Sequence, residues 1–129
     1  MTDLSHWSVL IVDDEPDNIG VVEYVFRFYN ARVRTAISAS IGLEMLKEEL
    51  PTVLLTDIQM PRMSGEDLLK AVRANEAWKQ LKVIAITARA MEGDREHFLG
   101  LGFDGYIPKP ISAGTLIRDV QRVVEPTVT

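Results

Sequence analysis

The chain contains no cysteine. That excludes disulfides, thiol nucleophiles and cysteine-bound zinc. Histidine occurs only at positions 6 and 97, with no partner pattern around either, so neither suggests a catalyst or a metal ligand. Basic residues are not in excess: 14 Lys and Arg stand against 19 Asp and Glu, for a net charge of -5. Direct binding to nucleic-acid phosphates is therefore not expected. No apolar run is long enough to span a bilayer, so no membrane insertion is expected. The start, Met1 to Trp7, lacks a basic segment followed by a long apolar one, so no signal peptide is expected and a cytoplasmic location is the default. No internal repeat, low-complexity segment or linker is visible.

What remains is an ordinary globular composition, 47% apolar and 26% charged, in 129 residues. This suits a single domain with its own core, spanning 1–129 with the core at about 8–124. The organising stretch is Val53 to Gly65. An apolar run ends abruptly in Asp57, and a turn rich in Pro, Ser and Gly leads into a helical pattern. A parallel strand buried on both faces has this form, and its C-terminal end is where ligands bind in open α/β sheets.

The other segments repeat the theme. Ser8 to Val12 is a second buried strand, ending in Asp13-Asp14-Glu15, with a helix opening at Pro16 and Asp17. Its apolar face is read as Ile19, Val22, Tyr24, Val25, Phe26 and Phe28, with Asn30 as the stop. Ala31 to Ala36 alternates as an edge strand does. Ser38 or Ser40 caps a helix with Ile41, Leu43, Met45, Leu46 and Leu50 as apolar positions, ended by Pro51. A third helix is predicted from about Gly65 to Ala77, with Leu68, Leu69 and Val72 inward. Lys82 to Thr87 is a strand, Met91 to Leu101 a weaker helix, and Phe103 to Ile107 a fifth strand broken at Pro108. Ser112 caps a last helix carrying Leu116, Ile117, Val120, Val123 and Val124. Trp7 and Trp78 are expected to pack at element ends. Five strands alternating with five helices point to a doubly wound α/β fold around a parallel sheet.

In such a sheet all strand C-termini share one edge, which gathers Asp13, Asp14, Asp57, Thr87 and Lys109. Taken singly, each has an ordinary role: helix-capping acids, a turn residue, a strand-end hydroxyl, a solvated lysine. Together they have a chemical sense. Crowded carboxylates repel, and Mg2+, which prefers oxygen ligands, relieves that repulsion. A hydroxyl and an ammonium beside them suit phosphoryl oxygens, and Asp57 would be the nucleophile of an aspartyl phosphate.

The ordered set Val12-Asp13-Asp14, Asp57 with Met60-Pro61 and Gly65 behind it, Thr87-Ala88, and Lys109-Pro110 resembles the receiver domain of two-component response regulators. The resemblance covers about residues 8–124. It implies a flavodoxin-like sheet of order 2-1-3-4-5. It implies that Asp13 and Asp14 hold Mg2+ with Asp57 and the Gln59 backbone carbonyl, and that Asp57 takes phosphate from a phosphohistidine on a sensor histidine kinase or phosphotransfer protein. Thr87 and Lys109 would contact the phosphoryl oxygens, and Tyr106 would move inward as Thr87 is drawn toward the phosphate. Gln59 and Arg89 would flank the water of dephosphorylation, and the Lys109-Pro110 bond would be cis. Lys109-Pro110-Ile111-Ser112 is more like stand-alone and hybrid-kinase receivers than those joined to certain DNA-binding domains.

The implied function is a phosphorylation-controlled switch acting on an unknown downstream protein through the fourth helix, fifth strand and fifth helix, and not an enzyme with a separate substrate. A relay or phosphate sink without conformational output is the alternative. A small aspartate-nucleophile phosphatase would carry a second Asp where Gln59 stands, and a flavin-binding domain would be opposed by Asp13-Asp14-Glu15 facing the flavin phosphate. The Glu92, Asp94, Arg95, Glu96 cluster reads as a solvated helix face that could also serve for docking.

Overall fold

The computed structural model describes residues 2–88 and 93–125. Its five strands are β1 (Ser8–Val12), β2 (Arg32–Ala36), β3 (Val53–Asp57), β4 (Lys82–Thr87) and β5 (Gly105–Pro108). They form one parallel sheet of order β2-β1-β3-β4-β5. Between and after them run α1 (Pro16–Phe28), α2 (Ala39–Glu48), α3 (Gly65–Ala74), α4 (Asp94–Leu101) and α5 (Ala113–Val124), and a 3-10 turn at Glu76–Trp78 precedes β4. The alternation and the strand order agree with the sequence expectations.

β1 and β3 are buried along their whole length. Their successive side chains feed two separate apolar layers. Val9, Ile11, Val53 and Leu55 face one side with Phe26 of α1 and Leu116 of α5. Leu10, Leu54, Val83 and Ala85 face the other with Leu46, Leu68 and Phe98 of α2, α3 and α4. Each such leucine or isoleucine contributes about 1.5–3 kcal/mol on leaving water, so the strand ends are set in a rigid frame. Trp7 closes one layer and Trp78 the other, at element ends as expected. No helix among the described residues is long and apolar enough to cross a membrane.

Several boundaries and faces differ from expectation. Tyr24 and Phe28 are 73% and 70% exposed, so the buried face of α1 is narrower: Ile19, Val22, Val25 and Phe26. On α2, Ile41 is exposed, as is Leu50 beyond the helix end. The small Ala39 and Gly42 take inward places instead, because that helix lies close to Val12 and a Cβ at Gly42 would sit 2.7 Å from its Cγ2. The third helix ends at Ala74, where Asn75 turns extended and caps the 3-10 turn. β5 begins at Gly105; just before it the Asp104 N–H donates to the Val83 carbonyl at 2.7 Å while its carboxylate accepts from the Val83 N–H and Arg73. Ser38 caps α2 through the Ile41 N–H, but Ser112 makes no side-chain cap. The fourth helix is described from Asp94; its expected start at Met91 lies outside the described residues, as does the Pro126 tail.

The turn after β3 is the tightest place in the fold. Ser64 and Asp67 form a reciprocal capping box, each bond 3.1 Å, which starts α3 at Gly65. The Gly65 N–H then donates to the Ile58 carbonyl at 3.0 Å. A Cβ at this position would collide with the Asp57 carbonyl oxygen and lie 3.0 Å from the Ile58 Cα. Both are main chain, so nothing there can rotate aside. Gly65→Ala should therefore cost about 1–3 kcal/mol, as overpacking does, and the measurement is the shift of the urea midpoint at constant slope.

Candidate functional site

Main-chain bonds continue the sheet past its last side chains and align the functional residues. The Asp13 N–H donates to the Ala36 carbonyl at 3.0 Å, the Ile58 N–H to Ile86 at 3.2 Å, and the Lys109 N–H to Thr87 at 2.8 Å. The Asp57 carbonyl accepts from the Thr56 hydroxyl at 2.9 Å. The Lys109-Pro110 bond is cis, as the resemblance implied.

At this edge the Lys109 ammonium lies 3.3 Å from Asp57 Oδ2, 3.4 Å from Asp13 Oδ2 and 3.4 Å from Glu15 Oε1. Asp13 is fully buried and Asp57 nearly so, while Asp14 and Glu15 face solvent. One carboxylate oxygen from each of Asp13, Asp14, Glu15 and Asp57 lies within 4.8 Å of the others. Asp13 Oδ1 accepts the Glu15 N–H at 2.8 Å, but the buried Asp13 Oδ2 has only the Lys109 ammonium at 3.4 Å opposite it and accepts no well-aligned hydrogen bond. A buried oxygen left in that condition, among further hard oxygen donors on the solvent side, fits a divalent cation of the magnesium type.

The electrostatics follow from burial. Loss of solvent pushes the Asp13 carboxyl above the usual range, against the Glu15 N–H and Lys109. Burial and then the Asp13 charge push Asp57 up as well, opposed by Lys109 and a hydrogen bond from the Gln59 N–H. Burial works against charge on Lys109, yet Asp13, Asp57 and Glu15 outweigh it and hold its pKa above the ordinary lysine value.

Asp13, Asp14, Asp57 and Lys109 are thus brought together as expected. Thr87 is buried at the end of β4, joined to Lys109 through the main chain. Tyr106 is half-buried on β5, and period-two alternation puts it on the same sheet face as Thr87, since its register partner is Ala85. Gln59 is exposed, its main chain bonded to the Asp57 carboxylate. Arg89 and Glu92 lie outside the described residues. Of the cluster read as a solvated face, Arg95 and Glu96 are exposed, but Asp94 is buried at the first turn of α4. Glu15 joins the site although the sequence expectation did not include it among the metal- and phosphate-binding residues. Its contact with Lys109 spans 94 residues of sequence, and its one signal was its place directly after Asp14.

Comparison with known proteins agrees with this geometry. A family model described as "Response regulator receiver domain" matches residues 9–121. The polar-differentiation response regulator DivK of Brucella ovis is 33% identical over 117 residues, covering 88% of this chain and 93% of that protein. The chemotaxis response regulator CheY4 of Vibrio cholerae superposes with a TM-score of 0.84 at 25% identity, covering 95% of this chain and 99% of that one. The receiver domain of the sensor histidine kinase PA1611 from Pseudomonas aeruginosa, whose structure has a magnesium ion coordinated in the active-site cleft, superposes at 0.81 with 30% identity, covering 92% and 97%.

The raised carboxyl pKa values have a consequence for stability. A carboxyl that holds its proton more tightly when folded favours the native state below the ordinary carboxylate range, and that contribution is lost as pH rises through the raised folded value. Lys109 follows the same rule at higher pH: its contribution is full below the ordinary lysine value and disappears as pH climbs through the raised one. At neutral pH without divalent cation, Asp57→Asn should therefore melt above the wild type. A gain of about 1 kcal/mol corresponds to about 3–5 °C. Calorimetry across pH should show the gap closing on acidification below the carboxylate range and narrowing when magnesium is added.

Proposed function

The chain belongs to the response-regulator receiver-domain family of two-component signalling, and from that premise we propose that it is a phosphorylation-controlled switch whose phosphoacceptor is Asp57. The observation that carries this reading is the Lys109 ammonium in contact with both Asp57 and Asp13 at the C-terminal edge of the sheet.

Chemically, an Asp57 carboxylate oxygen attacks the phosphorus of a phosphohistidine on a sensor kinase or phosphotransfer protein. The P–O bond forms as the P–N bond breaks, and the electron pair leaves with the imidazole of the donor. Lys109 turns from carboxylates to the new phosphoryl oxygens, and the Thr87 hydroxyl donates to another. Asp13, Asp14, Asp57 and the Gln59 carbonyl would hold Mg2+, which offsets the charge of the transferring group. The magnesium reported for the PA1611 receiver supports the assignment. Gln59, two residues after Asp57, and Arg89, two after Thr87 in the sequence, would tune the lifetime of the phosphate. The product adds roughly -1.5 to -2 charges at one edge. Thr87 moves toward them, Tyr106 follows inward, and the surface formed by α4, β5 and α5 changes its affinity for a downstream protein. There is no separate substrate to turn over, so the protein is a phosphoacceptor rather than an enzyme in the usual sense.

The test is intact mass after incubation with acetyl phosphate. Wild type should gain one phosphoryl group only when magnesium is present, and Asp57→Asn should gain none. A magnesium-independent gain, or an equal gain in the variant, would remove Asp57 from the role.

A further inference from the structure

Tyr106 does not stand alone on its face of the sheet. Its ring stacks on Phe98, centroids 5.8 Å apart and planes 16° from parallel. Phe98 meets Phe103 edge-on at 6.0 Å and 82°. Within α4 the buried residues are Asp94 and Phe98, so Phe98 is the apolar side chain that fixes this helix to the core. The cross-strand neighbour of Tyr106 is Ala85, a small residue, with Thr87 two positions further along the same face.

The turn after α4 is held by a different device. Arg73 of α3 donates to the Gly102 carbonyl at 3.0 and 3.3 Å, to Lys79 at 3.2 Å, to Leu81 at 2.7 Å and to the Asp104 carboxylate at 2.8 Å. The same Asp104 oxygen accepts the Val83 N–H at 2.8 Å. One guanidinium thus ties the end of α4 and the approach to β5 onto the edge of β4. A disturbance of the aromatic stack therefore meets a fixed turn, and is taken up by the body of the helix.

We propose that Phe98 is the positioning residue that couples the ring of Tyr106 to α4, so that inward rotation of Tyr106 withdraws the stack from the helix's apolar contact and loosens or shifts α4 while the Arg73 clamp holds residues 102–104. The coupling is a property of the unmodified protein; its use as an output rests on the switch reading above.

Amide hydrogen exchange read by mass spectrometry tests this in the full chain, first without phosphodonor. Tyr106→Ala should speed exchange over 95–101 by about two- to tenfold, the factor an aromatic pair contributes. The same substitution made on a Phe98→Leu background should change it by under about twofold, because the contact is already gone. Equal increments on both backgrounds would overturn the proposal. Exchange in β1 and β3 must stay constant across the set, and Phe98→Met replaces Phe98→Leu if it does not. Arg73→Gln should extend the faster exchange to 102–104, and a turn indifferent to that change would contradict the clamp. With acetyl phosphate and magnesium, wild type should alter α4 exchange, whereas Phe98→Leu should gain the phosphoryl group by mass yet leave α4 unaltered. A phosphorylated Phe98→Leu that alters α4 as wild type does also counts against the proposal. A wild type that gains no mass defeats the switch reading instead, and the cycle without phosphodonor still decides the coupling.

Discussion

One ammonium group stands among three carboxylates at the edge of the sheet. Lys109 touches Asp13, Asp57 and Glu15 within 3.3–3.4 Å, and the arrangement keeps two nearly solvent-free acids in the same small volume. Charges removed from water at such a site are costly unless they are paired, and pairing by one lysine is incomplete. The raised pKa values of Asp13 and Asp57 record that deficit. A site poised in this way gains from any species that brings positive charge, or that gives the lysine a better anion. The chemistry proposed for the protein supplies the first as a divalent cation and the second as a phosphoryl group.

Such crowding is tolerable only in a frame that cannot relax. β1 and β3 are buried on both faces, and main-chain bonds carry the alignment beyond the strands to Asp13, Ile58 and Lys109. Gly65 allows the start of α3 to pack directly against the Asp57 carbonyl. The acid is therefore held from behind by main chain, from one side by Thr56 and from the front by Lys109. Stability is given up locally and recovered in the two apolar layers, as is common where a site stores a function.

The strand assignments and the convergence of Asp13, Asp14, Asp57 and Lys109 on one edge were legible because both depend on short-range signals. Apolar runs of five or six residues ending in Asp13, Asp57 or Thr87 are visible without a fold, and a parallel sheet brings their ends to one edge by topology alone. What escaped depends on lateral packing. Tyr24 and Phe28 match the helical period of α1 but fall on its solvent side, since periodicity does not say where the apolar arc stops. Asp94 carries a charge that composition assigns to the surface, yet it is buried at the start of α4. Glu15 and the Arg73–Asp104 pair are contacts of long side chains across large separations in sequence, which no local pattern encodes.

The placement of Tyr106 gives the two halves of the proposed function a common physical origin. Thr87 and Tyr106 share a sheet face, and the side chain directly opposite Tyr106, two residues before Thr87, is the small Ala85. The phosphoacceptor edge and the aromatic stack are thus linked through a small residue, a place where packing leaves least resistance to a large ring. The opposite boundary is hard: Phe98 is fully buried, and Arg73 binds the next turn with three N–H···O contacts and the approach to β4 with two more. A ring between a yielding neighbour and an unyielding turn has one direction in which it can move. Close-packed interiors convert small displacements into discrete repacking rather than gradual deformation. On the proposed reading, a shift of one hydroxyl at Thr87 would be read about one helix away, at the exposed face of α4, with the sheet that holds the acid unchanged.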